Sequence, residues 1–308
     1  MIEVKAFTKK YGPLVAVDDL NLSIEPEHIC GFIGPNGAGK STTIRFLATL
    51  SPATAGDASI DGYSVRKHPR DVRRIIRYMP EEFGVYEGMR VWEYIDFFGA
   101  AFGIKAAQRK GVIDDVLELV DLTHKRDDYV QSLSRGMKQR LCLAKSLVHN
   151  PKVLILDEPA SGLDPRARIE IKELLKELRR MGKTILISSH ILSELADLCD
   201  SVAIIERGQL LAHGTLKDIS RKLREHRRLE ITLPDTSEKL TQILNAHPDV
   251  IDFEEIGGLY TVNFTGDNEA IIELNQKIVM DGIGLLTIRE QETDLEDMFM
   301  QITTGAVQ

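Results

Sequence analysis

Two rhythms of apolar residues alternate along the first two thirds of the chain. Short unbroken runs, Ile29-Cys30-Gly31-Phe32-Ile33, Val153-Leu154-Ile155-Leu156-Asp157, Thr184-Ile185-Leu186-Ile187-Ser188 and Ser201 to Ile205, predict strands buried on both faces. Between them the spacing becomes helical. Val91, Tyr94, Ile95, Phe98 and Phe102 fall at i, i+3, i+4, i+7 and i+11, which predicts an amphipathic helix from Val91 to Phe102. Further helices are predicted over Thr42–Leu50, Val112–Val120, Arg135–Val148, Pro165–Arg180 and Ile191–Cys199. The first 30 residues alternate like strands around the turns Tyr11-Gly12-Pro13 and Glu25-Pro26-Glu27, and Ser51 to Tyr63 is turn-rich with one short strand. Apolar strands separated by helices imply an α/β fold, a parallel sheet covered on both faces. The block of helices at about 88–150 interrupts the alternation and reads as an inserted helical subdomain.

From Arg228 the pattern changes again. Strands are predicted at 228–233, 250–256, 259–264 and 284–289, and helices at 236–246, 268–280 and Asp294–Thr303. That order, β-α-β-β-α-β with a closing helix, suggests a small α+β, ferredoxin-like C-terminal domain. Charge marks the same boundary. Ser220 to Gln308 holds 8 basic and 17 acidic residues, whereas the whole chain of 308 residues has a net charge of −8. We therefore divide the chain at 1–219 and 220–308, and the acidic second part argues against nucleic acid as a partner. The basic stretch from Arg221 to Arg228 joins the two, read as a solvated linker helix in preference to a patch for an anionic surface. Cys30, Cys142 and Cys199 are scattered without a C-x-x-C pair, which favours a reduced compartment. Charges at Glu3, Lys5, Lys9 and Lys10 rule against a signal peptide, and the most apolar stretch, Val91–Ile104, is broken by Glu93 and Asp96. The chain is not expected to span a membrane.

Candidate chemistry concentrates after the first buried strand. Gly34 to Ser41 reads GPNGAGKS, the phosphate-loop pattern G-x-x-x-x-G-K-[ST], set between a strand and a helix. Such a turn aims backbone N–H groups and a helix dipole at an anion. Gly34, Asn36, Gly37, Ala38, Gly39, Lys40, Ser41 and Thr42 are accordingly expected to bind a nucleoside triphosphate. Lys40 would reach the β- and γ-phosphates, and the Ser41 hydroxyl would ligate magnesium. The strand ending at Asp157 supplies a carboxylate for the same Mg2+, and Glu158 stands where it would deprotonate an attacking water. An acidic pair that merely caps the next helix is the plainer alternative.

With these residues in place, residues 1 to about 219 resemble the nucleotide-binding subunit of an ABC-type transporter, a P-loop NTPase. Tyr11 matches the aromatic that stacks on adenine. Leu133-Ser134-Arg135-Gly136-Met137 occupies the place of the signature usually written LSGGQ, Ser161-Gly162-Leu163-Asp164 matches the loop that meets the partner subunit, and His190 matches the γ-phosphate-sensing histidine. The resemblance implies an ATPase with ATP and Mg2+ as ligands. It also implies a second ATP-binding subunit, Ser134 and Gly136 serving the nucleotide of the other copy in a two-fold homodimer. An integral membrane permease subunit would complete the assembly, placing the chain in the cytoplasm, peripheral on the cytoplasmic face of the membrane.

Two departures stand out. Arg135 and Met137 replace the usual glycine and glutamine of the signature, and Glu81 stands where the family generally carries a glutamine that touches magnesium. A carboxylate ligates magnesium at least as well. The loop from Glu82 to Trp92, with Phe83, Tyr86, Met89 and Trp92, would either dock a helix of the membrane partner or pack internally. Leu295-Glu296-Asp297-Met298-Phe299 is similar to the closing helix of exporter-type subunits with an extra C-terminal domain, which points to export. The rival readings are a soluble ABC-type mechanical ATPase acting on ribosomes or DNA, and another phosphate-loop enzyme such as a GTPase or kinase. The first usually carries paired domains or a long coiled coil, and the second, if a GTPase, an N-K-x-D motif. None of these is present in the sequence.

Overall fold

The alternating residues at the start of the chain form a long hairpin, β1 (Ile2–Tyr11) and β2 (Leu14–Ile24), before the buried strand β3 (Ile29–Ile33). The phosphate loop then leads into α1 (Lys40–Leu47). Next come β4 (Ala55–Ile60), β5 (Tyr63–Ser64), α2 (Pro69–Ile75) and β6 (Ile76–Met79). The helical insertion holds α3 (Val91–Ala101), α4 (Ala106–Leu119) and α5 (Arg135–Leu147). The α/β rhythm resumes with β7 (Val153–Leu156), α6 (Pro165–Arg180), β8 (Thr184–Ser189), β9 (Ser201–Glu206) and β10 (Gln209–Gly214). This computed structural model describes residues 1–82, 84–191, 195, 197–223 and 227–290. It divides into two units, Met1–Leu216 and Lys217–Gln308.

Two sheets build the first unit. The larger has the order β10-β9-β3-β8-β7-β6, parallel except for β10, which returns antiparallel along β9. Every residue of β3, β7 and β8 is buried, as the unbroken apolar runs require. The smaller sheet, β2-β1-β4-β5, is antiparallel. Its apolar face shares one core with α1 and the larger sheet, through Phe7, Leu20, Ile44, Phe46, Ile155 and Leu186. Phe7 stacks on Phe46 at 4.2 Å between ring centroids. Side chains of this size each contribute about 1.5–3 kcal/mol on burial. The helix that follows the phosphate loop is thereby fixed from both sides.

The sequence pattern anticipates only part of this. The hairpin strands belong to a separate antiparallel sheet, α4 begins at Ala106 instead of Val112, and α2 and β10 were not foreseen. The first turns of α4 are mostly exposed and carry no apolar stripe, and β10 is a half-exposed edge strand. Of the predicted helix over Ile191–Cys199, residues 192–194 and 196 lie outside those described, Leu195 is helical, and Asp197 and Leu198 form a turn.

In the second unit the backbone is helical over α7 (Leu216–Leu223), and β11 (Arg227–Thr232) follows. The expected linker helix over 221–228 is corrected on this point. Arg227 and Arg228 open a strand, paired with Phe264 and Asn263, and Arg227 Nη2 lies 2.6 Å from Glu290 Oε2. Then come α8 (Glu238–Ala246), β12 (Val250–Ile256), β13 (Leu259–Phe264), α9 (Asn268–Met280) and β14 (Thr287–Glu290). The antiparallel sheet order β12-β13-β11-β14 is that of the split β-α-β-β-α-β arrangement. Leu229, Ile231, Leu244, Val262, Phe264 and Leu274 give this unit a core of its own. The closing helix predicted over Asp294–Thr303, with the Leu295–Phe299 motif, lies outside the described residues.

Candidate nucleotide site

The carboxyl ends of β3, β7 and β8 adjoin in the middle of the larger sheet, and most of the expected chemistry gathers there. An open parallel sheet binds ligands at such an edge. Gly34 follows β3 against the backbone of β9; a Cβ there would sit 2.2 Å from the Ile205 carbonyl oxygen. Gly39 has φ +106°, and a Cβ on it would meet the Ala16 oxygen at 2.7 Å. Only glycine allows that left-handed turn so close to β2. Between them Asn36 and Gly37 are exposed and Ala38 is buried, its carbonyl accepting from the Gly208 amide at 2.9 Å. α1 has no side-chain cap and no acidic residue in its first turn, where Ser41 and Thr42 are half-buried. Its N-terminal amides and dipole are left for an anion.

Lys40 is buried, and its Nζ donates to the Gly34 oxygen at 2.6 Å and the Pro35 oxygen at 3.3 Å. It lies 3.7 Å from Glu158 Oε1. Burial pulls the ammonium below its ordinary range, against the opposing pull of Glu158, Asp157 and Glu81. A phosphate beside it would add to that opposing pull and favour the ammonium form. Glu81 itself is exposed just beyond β6.

Asp157 and Glu158 follow β7 in buried positions. Ser41 Oγ donates to Asp157 Oδ1 at 3.4 Å, and Ser188 Oγ donates to the same oxygen at 2.7 Å. Ser188 Oγ also accepts the Glu158 amide at 2.9 Å, while the Asp157 amide donates to the Met79 oxygen at 2.9 Å. Glu158 is held at φ +49°, a left-handed conformation costly for a side-chain-bearing residue. The chain reverses there, and its carboxylate turns toward His190, whose Nδ1 stands 2.9 Å from Glu158 Oε2. His190 is otherwise exposed. A hydroxyl, a carboxylate and the nearby Glu81 are hard oxygen donors of the kind magnesium takes alongside phosphate oxygens and water. Among the described residues there is no cluster of three acidic, His or Cys side chains that would form an all-protein cage.

Ser188 was not singled out from the sequence. The signal was there: the strand turns polar in its last two residues, Ser188-Ser189, although both remain buried.

Other expected residues stand apart from this cluster. Tyr11 is 47% exposed at the hairpin tip, with Lys9 Nζ 4.9 Å above its ring, and β2 runs from there to Ala16 beside Gly39. Ser134 caps α5, its Oγ accepting the Met137 amide at 3.3 Å. A Cβ on Gly136 would lie 3.2 Å from the Ala167 Cβ of α6. Asp164 caps α6 by accepting the Ala167 amide at 3.0 Å. Among the described residues no hydrogen bond or ion pair joins Ser134 or Gly136 to Lys40, Ser41 or Asp157. In the loop before α3, Tyr86 packs on Tyr94, Phe97 and Phe98 yet stays 53% exposed. Trp92 is half-buried, and Phe83 lies outside the described residues.

Comparison with known proteins agrees with this geometry. The ABC transporter family profile matches residues 17–161, a span from β2 beyond Glu158. The bacitracin transport ATP-binding protein BcrA of Bacillus licheniformis is 37% identical over 311 residues, covering 99% of this chain and 98% of the relative. The chain belongs to the ABC transporter ATP-binding family. The Nod factor export ATP-binding protein I of Burkholderia thailandensis is 32% identical over 307 residues, covering 100% of this chain and 98% of that protein. The similarity to such ABC relatives therefore runs through the second unit as well. The solved structure of cbiO1 from Clostridium perfringens, part of the ABC transporter complex cbiONQ, matches with a TM-score of 0.66 and 27% identity. It covers 72% of this chain and 93% of that one. This chain is thus an ATP-binding subunit of an ABC transporter and an ATPase. No helix among the described residues is long and apolar enough to cross a membrane.

Proposed function

We propose that this chain is the motor of an exporter, two copies closing head to tail around two Mg-ATP at the cytoplasmic face of a membrane, where they drive a separate permease. One observation carries the reading. Lys40, Ser41, Asp157, Glu158, Ser188 and His190 converge, whereas Ser134 and Gly136, at a second helix N-terminus suited to an anion, make no hydrogen bond or ion pair with them among the described residues. A site completed by a second copy uses both. Relatives named for bacitracin transport and Nod factor export support the transport reading over a ribosome- or DNA-directed ATPase.

In this reading the amides of Asn36 to Thr42 and the Lys40 ammonium hold the β- and γ-phosphates, and Tyr11 offers its exposed ring to the adenine. Ser41, Asp157 and Glu81 would hold magnesium. That ion supplies positive charge against the phosphate oxygens when bound. Glu158 takes a proton from the attacking water, and His190, in contact with the same carboxylate, keeps γ-phosphate and water in line. Ser134 and Gly136 of the other copy close over the γ-phosphate, and Asp164 lies in the loop facing that copy. The exposed aromatic surface around Tyr86 would receive the permease.

Replacing the base while keeping its shape tests the assignment. Glu158→Gln is expected to bind Mg-ATP, to hydrolyse it at least about a hundredfold more slowly, and to elute as a dimer only when nucleotide is present. Hydrolysis at the wild-type rate would remove Glu158 from its role.

A further inference from the structure

We propose that Arg135 is a positioning residue for Glu158. It ties the N-terminus of α5 to the turn that holds the base, so that engagement of the partner's triphosphate by Ser134 and Gly136 is felt at the base of the same protomer. The proposal rests on the two-copy reading above.

The connection is short. Arg135 Nη2 donates to the Ser161 oxygen at 3.3 Å, and the Ser161 amide donates to the Glu158 oxygen at 3.0 Å. Two hydrogen bonds therefore run from the signature helix to the backbone of the proposed base. Glu158 is also the residue whose left-handed φ of +49° needs its surroundings to hold it. One helical turn further along α5, the buried Gln139 Nε2 donates to the Pro159 oxygen. Positions 135 and 139 share a helix face. The helix thus grips the turn after Glu158 at two carbonyls.

Glycine at 162 makes room for this grip. Its φ is +67°, and a Cβ there would fall 2.4 Å from Arg135 Nη2 and 2.6 Å from Cζ. The guanidinium occupies the space that any other side chain would fill. With the glycine that ABC subunits usually carry at position 135, Gln139 alone would bridge helix and turn, a full turn away from the end that reads the triphosphate. A charged donor on a carbonyl and the contact with Gly162 stiffen that end. Ser134 and Gly136 flank Arg135 directly, so a pull on them loads the Ser161–Glu158 turn.

The test uses the full-length chain with Mg-ATP, comparing wild type, Arg135→Gly and Arg135→Lys. For Arg135→Gly, kcat is expected to fall about tenfold, the scale of one lost charge-assisted hydrogen bond in a transition state. The Hill coefficient for ATP should drop toward one, with KM and Tm near wild type. Arg135→Lys retains a donor and is expected to recover part of kcat and of the cooperativity. Gly162→Ala displaces the guanidinium, so Arg135→Gly/Gly162→Ala should be no slower than Gly162→Ala alone. Wild-type kcat and Hill coefficient in Arg135→Gly would overturn the proposal. So would a loss that tracks Tm and ignores lysine, or multiplicative losses in the double variant. A Glu158→Gln chain that fails to dimerise on Mg-ATP would overturn the two-copy reading along with it; dimerisation beside an indifferent Arg135→Gly would sink this proposal alone.

Discussion

At the scale of single residues the site depends on Ser188. Its hydroxyl donates to Asp157 and accepts from the Glu158 amide, so it orients the two carboxylates at once. Ser188→Ala leaves a buried carboxylate oxygen and a buried amide without that partner, an expected loss of about 1–3 kcal/mol in unfolding free energy. The measurement is urea denaturation. ATP turnover should fall with it, because Glu158 loses the bond that holds its strained backbone. Lys40, Ser41, Asp157 and Glu158 are legible in the sequence as candidates, since each follows a strand end or sits within a motif of fixed spacing, whereas His190 enters through the family resemblance; the structure brings the five together. Ser188 escaped because a serine at the polar end of an apolar strand carries no motif spacing of its own. Only the fold brings strands β7 and β8 side by side, with Leu156 level with Ile187 and Ser188 just beyond.

At the scale of elements, helix and strand identities were legible wherever one period persisted. α6 has the bounds expected from the sequence, Pro165–Arg180, and the structure shows Asp164 capping it with a proline in the first turn. β10 and α2 were missed for the opposite reason: both are short, and neither buries a full face. Where α5 ends, His149 stacks on Phe102 at 4.2 Å, and its Nε2 lies 3.3 Å from the Ile76 oxygen. The ring thus links two helical elements to β6. Burial chiefly holds the His149 imidazole below its ordinary value of 6.5, with Arg77 and Lys183 adding to that and the Ile76 carbonyl opposing it. In the window between the lowered value and 6.5 the unfolded chain binds more protons, so stability rises with pH there and is lost as pH falls. His149→Gln keeps a donor for the carbonyl but does not titrate. Its stability is expected to vary less than wild type as pH falls below 6.5, as followed by denaturant midpoints.

At the scale of the whole molecule, two separate cores underlie two units. The second unit begins at Lys217, ahead of both the charge shift near residue 220 and the change of rhythm at Arg228, and Arg227 and Arg228 of the basic stretch lie in a strand. Because Leu274 is buried wholly within the second core, Leu274→Ala should cost that unit about 2–5 kcal/mol. Calorimetry should show one transition lowered, with Mg-ATP affinity of the full chain unchanged; a matching loss of affinity would join the two units into one cooperative body. Among the described residues Ser134 and Gly136 make no hydrogen bond or ion pair with the phosphate loop of their own chain, which is why the dimer is the central claim. The most direct measurement is a crosslink in the Glu158→Gln background between one chain carrying Asn36→Cys and another carrying Ser134→Cys. A crosslinked pair of unlike chains that forms only with Mg-ATP is the expected result, above the background of the native thiols. A nucleotide-loaded protein in which these two cysteines never join, or join only within one chain, would contradict it.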